Sequence, residues 1–527
     1  MPAKLTRRFN LHIADTFKSQ VSRGDDQLYV FFSRVHPWAN GAGNPDPVVD
    51  TIQYSDYDVW RGMLGLKKIS NNDVSFAAKR YDWTSGTVYA QYNNFDSNLF
   101  TKAYYVYTDE SNIYKCLYNN KGAASTVKPT GQSTSKIVTD DGYIWKFMYN
   151  ITPAEQNKYQ TATFIPAKRV GDSLSPQEAV TAAAVRGSVE VIEISNGGNN
   201  YVTAVGNVVL ASNSTSVTLL DIDVNQTDGF YNDFNLYITG GTGAGQIKTI
   251  SQWIGTTSTA RTSEAFTTAP DSTSKFHIGP RINITGDGSN ATAFANVISG
   301  QITKATVING GSNYSRVIAT IPSYSDSGST PRGSGALATP YLSPLGGHGF
   351  DPVSELNATN VVINTALIGG SNSTGDGPTL IANNDFRIYG LLKNPIVRRS
   401  GLGDVAGAVA TNVRYNQTTR LGSYNKTGTF LQDEFVTGGT SGASGRVVTY
   451  DLDVVSGKEV LYLTNVDGTF SNNELLTANS SGTTMTANGV TLSDLLPFRG
   501  EVLYTVNRQA IVRDIDQTEN ITITVKF

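Results

Sequence analysis

Alternation of apolar and polar residues with a period of two is the feature that most constrains the fold of this chain. At the end of the sequence, Ile521, Ile523, Val525 and Phe527 alternate with two threonines and a lysine. Because successive side chains of a β-strand point to opposite faces, this pattern predicts a half-buried strand within a sheet. The stretch 143–149 alternates in the same way, with four aromatic residues on one face. We therefore expect a mainly β protein in which loss of the last strand damages folding.

Few segments have the pattern of a helix. Ser55 can cap a short helix that turns Val59 and Trp60 inward, and Pro153 can occupy the first position of another. Both candidates are short. The predicted fold class is all-β with a few short helices, and we expect a discontinuous antiparallel β-sandwich core.

Composition excludes several classes of protein. With 39% hydrophobic and 10% aromatic residues, the chain can bury a core, so it is not disordered throughout. Its 41 Lys and Arg against 44 Asp and Glu leave no polycationic surface for nucleic acid. The single Cys116 excludes a disulfide framework. No stretch approaches the roughly 20 apolar residues of a transmembrane helix, so we expect no membrane insertion and no secretory signal.

A first internal repeat combines glycines with a later tyrosine. Asn196-Gly197-Gly198 precedes Tyr201, and Asn309-Gly310-Gly311 precedes Tyr314 at the same spacing. Because glycine tolerates positive φ, we predict a tight turn after each strand, with the tyrosine folded back over it.

A second repeat lies nearer the C-terminus. Gly428-Thr429-Phe430 with Glu434 recurs forty residues later as Gly468-Thr469-Phe470 with Glu474. Ser441-Gly442 likewise matches Ser481-Gly482. Two copies predict a small pseudo-symmetric β module, since a solenoid requires at least three units.

Shifts in composition suggest a core domain that two β modules interrupt. Low-charge segments rich in Gly, Ser, Thr and Asn alternate with segments richer in aromatic and basic residues. The expected parts are the first core segment at 1–185, an inserted module at 186–348, a second core segment at 349–412, an inserted duplicated module at 413–490 and the C-terminal core strands at 491–527. Insertions at surface loops cost little because loop-closure entropy grows only slowly with length.

Residues suited to catalysis or metal binding are sparse. The histidines His12, His36, His277 and His348 lack metal-site spacing, and Cys116 lies in a strand-like stretch typical of an inert thiol. The glycine-rich run 240–245 precedes a strand pattern, which favours a hairpin turn over a phosphate-binding loop. We predict no metal, no cofactor and no enzymatic activity.

Two acidic pairs leave an alternative open. Asp221 with Asp223, and Asp451 with Asp453, would share strand faces and could serve as glycosidase carboxylates or calcium ligands. Exposed aspartates on a polar face explain them equally well.

Candidate interaction residues are basic or aromatic. Lys4, Arg7 and Arg8 suggest a partner-binding arm that becomes ordered only on assembly. The candidate core or interface anchors are Trp38, Trp60, Trp83 and Trp145. We expect Tyr201, Tyr231 and Trp253 to be exposed, where they could stack on sugars.

Several stretches carry a resemblance to one family. Residues 500–527 closely resemble the end of a baseplate wedge subunit of T-even-like contractile-tailed bacteriophages. The stretches 31–38, 141–145 and 384–395 are similar to the same family and occur in family order. The two insertions, which shorter members lack, resemble modules in tail proteins of phages that infect cyanobacteria.

The resemblance implies a structural role. Its members are mainly antiparallel β proteins that form a homodimer in each wedge, contact other wedge subunits and have no catalytic role. It implies a virion protein of the tail baseplate, assembled in the host cytoplasm. The alternatives from the residues are a tail-associated adhesin or glycan-binding β protein and, ranked lower, a polysaccharide-degrading enzyme.

Overall fold

The structure is a computed structural model that describes most of the chain. The described residues are 6–34, 54–169, 175–220, 224–325, 331–368, 380–398, 404–453, 458–514 and 517–527, with the backbone alone for 54–56, 209–212, 331 and 452–453. Strands account for 49% of the described residues and helices for 12%, which confirms the prediction of a mainly β fold with few helices.

The elements follow one another as a long series of strands. Up to residue 79 they are α1 (Arg7–Arg23), β1 (Leu28–Ser33), α2 (Tyr54–Gly62), β2 (Met63–Lys68) and β3 (Val74–Lys79). Residues 80–358 contain β4 (Tyr105–Tyr107), β5 (Asn112–Tyr118), β6 (Ile137–Val138), β7 (Ile144–Asn150), α3 (Pro153–Tyr159), β8 (Phe164–Ala167), α4 (Pro176–Ala182), β9 (Val189–Asn199), β10 (Ala204–Asn213), β11 (Ser216–Leu220), β12 (Asn235–Gly240), β13 (Ile247–Ile254), β14 (Thr259–Thr262), β15 (Lys275–Gly279), β16 (Asn283–Gly286), β17 (Ser289–Ile298), β18 (Gln301–Ser312), β19 (Val317–Thr320), β20 (Tyr324–Ser325), β21 (Pro331–Leu342) and α5 (Pro352–Glu355). The last part contains β22 (Asn360–Leu367), β23 (Asn384–Lys393), β24 (Arg414–Asn416), β25 (Thr419–Thr427), β26 (Phe435–Gly438), β27 (Ser444–Asp453), β28 (Lys458–Asp467), β29 (Leu475–Ala478), β30 (Thr484–Thr491), β31 (Glu501–Arg513) and β32 (Glu519–Lys526).

The chain divides into two compact units. Unit 1 takes its described residues from Met1–Ala77, Asn157–Thr161 and Thr359–Phe527. Unit 2 takes them from Ala78–Gln156 and Ala162–Ala358. The division expected from composition stays a prediction, and the compact units are divided at other positions.

Both helices expected from the sequence are present. Helix α2 covers the stretch expected to bury Val59 and Trp60, which are 2% and 3% exposed. Helix α3 begins at Pro153 as expected. The side chain of Ser55, the expected cap of α2, lies outside the described residues.

Helix α1 was not expected from the sequence, which suggested a basic arm. Thr6 caps its N-terminus, since the Thr6 side chain accepts a hydrogen bond from the Phe9 N–H at 3.3 Å. Gly24 ends it at φ 70° in the left-handed region, where glycine is favoured. The buried side chains are those of Leu11, Ala14 and Val21.

A five-stranded antiparallel sheet in unit 1 has the strand order β24-β2-β1-β23-β31. Every residue of β1 is buried, so both faces of this strand are covered. Gly390 of β23 faces Phe31, and a Cβ atom there would lie 1.9 Å from the Tyr504 carbonyl oxygen. Only glycine allows β23 and β31 to approach so closely at this point.

The C-terminal strand of unit 1 behaves as the alternation predicts. Over eight residues, β32 pairs antiparallel with β22, which also pairs with β3. Ile521 and Ile523 are buried at 5% and 2% exposure, whereas Asn520 and Thr522 are exposed. The predicted half-buried strand is confirmed.

The strand expected at 143–149 is present in unit 2 as β7, but it is not half-buried. It lies in a sheet of order β4-β5-β7-β6, and both of its faces are buried. Lys146 on the face opposite the aromatics is only 4% exposed, and its Nζ donates a hydrogen bond to the Thr134 carbonyl at 2.5 Å. The lysine therefore keeps a partner inside a buried layer.

The Asn-Gly-Gly motifs lie within strands of unit 2, so the predicted tight turns are wrong. Gly198 in β9 and Gly311 in β18 have φ of 64° and 62°, and each strand continues through its motif. The tyrosines do fold back as expected: Cβ atoms on these glycines would lie 2.6 Å and 2.9 Å from the Tyr201 and Tyr314 rings. Each motif therefore bends a long strand beneath a tyrosine ring.

Each unit contains a closed six-stranded barrel that was not expected from the sequence. The barrel of unit 2 has the strand order β10-β11-β14-β13-β12-β15, and that of unit 1 has β25-β28-β27-β26-β29-β30. The glycine-rich run 240–245 joins β12 to β13, which confirms the predicted hairpin. Closure removes the free edges that short strands otherwise leave.

The unit 1 barrel has the predicted pseudo-symmetry. Its strands β26 and β29 pair with each other, so Thr437 lies opposite its own repeat partner, Thr477. The Glu434 carboxylate accepts hydrogen bonds from the Ser481 N–H and hydroxyl, both at 2.9 Å. Glu474 makes the same bonds with Ser441, also at 2.9 Å. Each repeat therefore supplies the acceptor that caps a turn of the other.

Candidate interaction surface

Three of the stretches that carry the resemblance form neighbouring strands in unit 1. Residues 31–33 of the first stretch lie in β1, and residues 384–393 form β23. Stretch 500–527 contains β31 and, in another sheet, β32. Phe32 lies opposite Tyr389 across the first pair, and Tyr389 lies opposite Val506 across the second. Segments more than a hundred residues apart thus build one side of the five-stranded sheet.

A buried network of ion pairs lies at the end of these strands, within unit 1. Arg34, which is 2% exposed, lies 2.8 Å from Asp385 and 2.9 Å from Asp433. Arg446 pairs with Asp433 at 2.7 Å, and Arg387 pairs with Asp385 at 3.1 Å. Burial is the largest influence on Arg446, and it lowers the pKa of that guanidinium despite the nearby Asp433. The network joins β1 and β23 to the barrel.

Strand β31 is the edge of the five-stranded sheet and is its most exposed member. Among the described strands, only β23 pairs with it. Leu503, Tyr504 and Val512 are 43%, 40% and 67% exposed. Natural edge strands are commonly short or carry charges and prolines that block pairing. Strand β31 does carry Glu501 and Arg508, but it has thirteen residues, no proline and several β-branched side chains. This edge can therefore pair with another strand.

The pairing of β31 with β23 has two irregularities, and the one at Leu503 determines which side chains share a face between Glu501 and Arg508. Leu391 lies opposite Tyr504 while Leu392 lies opposite Val502, so Leu503 is an extra residue. Beyond the bulge, Tyr504, Val506 and Arg508 share the face of Glu501. The Arg508 guanidinium accordingly lies 5.9 Å from the centre of the Tyr389 ring, opposite Val506.

The remaining stretch of the resemblance, 141–145, lies in unit 2. The Asp141 carboxylate accepts hydrogen bonds from the Thr126 and Val127 N–H groups at 2.8 Å and 3.0 Å. Burial acts to raise the pKa of Asp141, but hydrogen bonds from Thr139 and from backbone N–H groups outweigh it, so the pKa is lowered. The aspartate organises the turn that leads into β7.

The structure places three of the four candidate tryptophans. Trp60 is 3% exposed in the core of unit 1, and Trp145 is fully buried in unit 2, where it stacks on Tyr143 at 5.3 Å. Trp83 is partly buried, and its Nε1 donates to the Ser125 hydroxyl at 3.2 Å. Trp38 lies outside the described residues.

The basic residues of the expected arm lie at the start of the chain. Arg7 and Arg8 form the first turn of α1, and Lys4 lies outside the described residues. Their contact with a partner stays a prediction.

Of the residues behind the alternative functions, the structure describes the three aromatic rings and Asp451. Tyr201, Tyr231 and Trp253 are 3%, 2% and 1% exposed, so these rings are packed within unit 2 and cannot stack on sugars. Asp451 accepts a hydrogen bond from the Asn383 side-chain amide. Asp221 and Asp223, and the side chain of Asp453, lie outside the described residues.

The single thiol of the sequence lies in an apolar core of unit 2. Cys116 is fully buried, and burial raises the pKa of its thiol. No three His, Cys, Asp or Glu side chains come together there as a metal site would require. No helix among these residues combines the length and apolar character needed to cross a membrane.

Compared with protein-family models the sequence matches none, and no curated protein matches it.

Proposed function

We propose that this chain is a structural subunit of a contractile phage tail baseplate, in which two copies form a dimer and dock neighbouring wedge proteins. The resemblance of stretches 31–38, 141–145, 384–395 and 500–527 motivates the proposal. The observation that carries it is the long, exposed edge strand β31, because exposed strand edges pair with other chains.

The sequence of β31 is complementary to itself. When two copies run antiparallel about a two-fold axis at Thr505, Tyr504 of one copy lies opposite Val506 of the other. The bulge at Leu503 then places Glu501 opposite Arg508. Because of the two-fold symmetry, the interface contains this Glu501–Arg508 ion pair twice, as an isologous interface requires. Opposite charges across paired strands stabilise the pairing, and like charges destabilise it.

Charge reversal tests this register in the full-length protein. We expect the wild-type chain to sediment as a dimer. Glu501→Arg or Arg508→Glu replaces two attractive pairs by two repulsive ones, so each variant should raise the dimer Kd by about tenfold. The double variant restores both pairs in reversed order and should return the Kd toward the wild-type value.

Lys275→Glu provides the matched control, since it reverses an exposed charge on β15 of unit 2 and should leave the Kd unchanged. A monomeric wild-type chain would contradict the dimer. A double variant that dissociates as readily as the single variants would contradict the register.

A density map of whole virus particles tests the wider assignment. We expect two copies of this chain per wedge at the tail baseplate, in contact with other wedge proteins. Tails that lack the protein would refute the structural role even if the isolated chain dimerises.

A further inference from the structure

Unit 1 contains a cavity of about 380 Å³ that the structural role does not use. Helix α2, the end of strand β28 and segment 492–498 contribute its lining. Cavities of this size fall within the range that binds small molecules.

An exposed aromatic pair lies at the cavity. Tyr57 is 55% exposed and Phe498 is 45% exposed, and their ring centres lie 4.5 Å apart with 38° between the ring planes. Phe498 has φ 61°, a left-handed conformation that is unfavourable for a bulky residue. Strained residues of this kind cluster at binding sites. The pair offers an apolar platform that solvent can reach.

The charged residues in the described lining leave one cation without a carboxylate. Arg61 pairs with Asp467 at 2.6 Å. Arg398 forms no ion pair with any described residue, and its Nε donates only a long hydrogen bond to the Leu495 carbonyl at 3.4 Å. The lining therefore has an excess positive charge, with a guanidinium available for a planar anion such as a carboxylate.

A buried hydroxyl in the lining also lacks a partner. Thr464 is 3% exposed, and its Oγ1 has no hydrogen-bond partner among the described residues. Buried polar groups are nearly always hydrogen-bonded, because an unpaired one is unfavourable. The Oγ1 atom is itself buried, so a ligand hydroxyl in the cavity would supply the missing partner once a neighbouring side chain of the lining shifts aside.

We infer that this cavity binds a sugar acid, that is, a pyranose ring that carries a carboxylate. The C–H face of the ring packs on Tyr57 and Phe498, the carboxylate pairs with Arg398 and a ring hydroxyl bonds to Thr464. One saccharide unit presents these three groups together. An acidic peptide side chain has the carboxylate but lacks the hydroxyls beside an apolar face.

Titration of the full-length protein with methyl α-D-glucuronide tests the inference, with methyl α-D-glucoside as the neutral probe of the same shape. We expect the glucuronide to bind more tightly. Arg398→Gln should weaken glucuronide binding about tenfold, the effect of losing one charge-assisted hydrogen bond, and should leave glucoside binding unchanged. Tyr57→Ala should weaken binding of both probes.

Thr464→Val separates binding from folding. Valine has nearly the same shape but no hydroxyl, so the variant should unfold at a higher temperature and yet bind glucuronide more weakly. A purely structural threonine would not give these opposite changes. Arg261→Gln, at an exposed arginine on β14 in unit 2, is the matched control and should change neither quantity.

Three results would overturn the inference: no binding by the folded wild-type chain, equal affinity for both probes, or equal losses in Arg398→Gln and Arg261→Gln. Sedimentation of the same variants should show an unchanged dimer, since none of these residues lies on β31. Failure of the ligand site is thereby distinguishable from failure of the proposed dimer.

Discussion

At the scale of single residues, two buried glutamates hold the duplicated barrel of unit 1 together. Glu434 and Glu474 are 5% and 3% exposed. Burial acts to raise the pKa of each carboxyl, but hydrogen bonds from backbone N–H groups and serine hydroxyls outweigh it, so both pKa values are lowered. Each carboxylate is therefore stabilised in its ionised form by the turn that it caps.

We predict that the barrel loses stability in acid because of these glutamates. A carboxyl whose pKa is lowered by folding contributes stability above its unfolded pKa, about 4.3 for Glu, and that contribution is lost as the pH falls through the folded pKa. Glu434→Gln should cost about 1.5–3 kcal/mol at neutral pH and much less in strong acid. Urea unfolding, followed by pulsed hydrogen exchange of peptides from 419–491, measures the effect.

The pseudo-symmetry provides an internal check on this prediction. Glu474→Gln should cost about as much as Glu434→Gln, because the two carboxylates make equivalent bonds to Ser441 and Ser481. Gln432→Ala, at an exposed position in the same turn region, should change little. Loss of stability that is independent of pH would contradict the proposed role of the ionised carboxylates.

The sequence shows the repeated glutamates and serines, but it does not show that each glutamate bonds to the serine of the other repeat. A spacing of forty residues identifies two copies, yet it does not say whether Glu434 bonds within its own copy or to Ser481 of the other. That choice depends on the pairing of β26 with β29, which is a tertiary contact. Thr464 and Arg398 were missed for a similar reason, since they meet only when separate segments of unit 1 fold together.

At the scale of elements, the C-terminal strand β32 is predicted to be essential to unit 1. Ile523 is 2% exposed and lies opposite Ile363 in β22. Ile523→Ala leaves a cavity in this layer and should cost about 2–5 kcal/mol of unfolding free energy. Asn520→Ala, on the exposed face of the same strand, should cost little, and urea denaturation measures both. Equal effects would show that alternation does not determine which face of β32 is buried.

Alternation predicted strands well but did not predict what covers them. Ile521 and Ile523 face the core as expected, whereas Lys146 is buried on the face of β7 that the pattern assigns to solvent. A lysine with a backbone acceptor can be buried, and the acceptor, the Thr134 carbonyl, is not visible in the local pattern. The edge position of β31 was equally hidden, because it depends on which strands pair with β23.

Helix α1 illustrates the same limit for helices. Its charged and polar residues suggested an arm, while the apolar stripe of Leu11, Ala14 and Val21 is narrow. The end signals were nonetheless present in the sequence, with Thr6 as cap and Gly24 at the C-terminal end. Burial of this stripe against the rest of the folded chain, rather than the helix propensity of the segment, makes the segment a helix.

At the scale of the whole molecule, the all-β class follows from local pattern but the closure of the barrels does not. Each barrel closes by pairing its first strand with its last, β10 with β15 and β25 with β30. These pairings join residues far apart in sequence. Bringing such residues together costs loop-closure entropy, and burial of a shared core must offset that cost. Composition could therefore indicate turn-rich modules without indicating their closed form.

The single cysteine makes the folding of unit 2 measurable within the complete chain. Cys116 is fully buried, and burial raises the pKa of its thiol, so both access and thiolate formation are suppressed in the folded unit. We predict that a thiol reagent such as Ellman's reagent labels the native chain very slowly and labels one thiol per chain once urea unfolds unit 2. The labelling rate should rise with urea in parallel with the opening of β5, which hydrogen exchange measures.

Introducing an exposed thiol by Ser315→Cys in the same unit supplies the control, since this site should react at once in the native protein. Rapid labelling of native Cys116 would mean that the core around β5 and β7 opens far more readily than its burial implies.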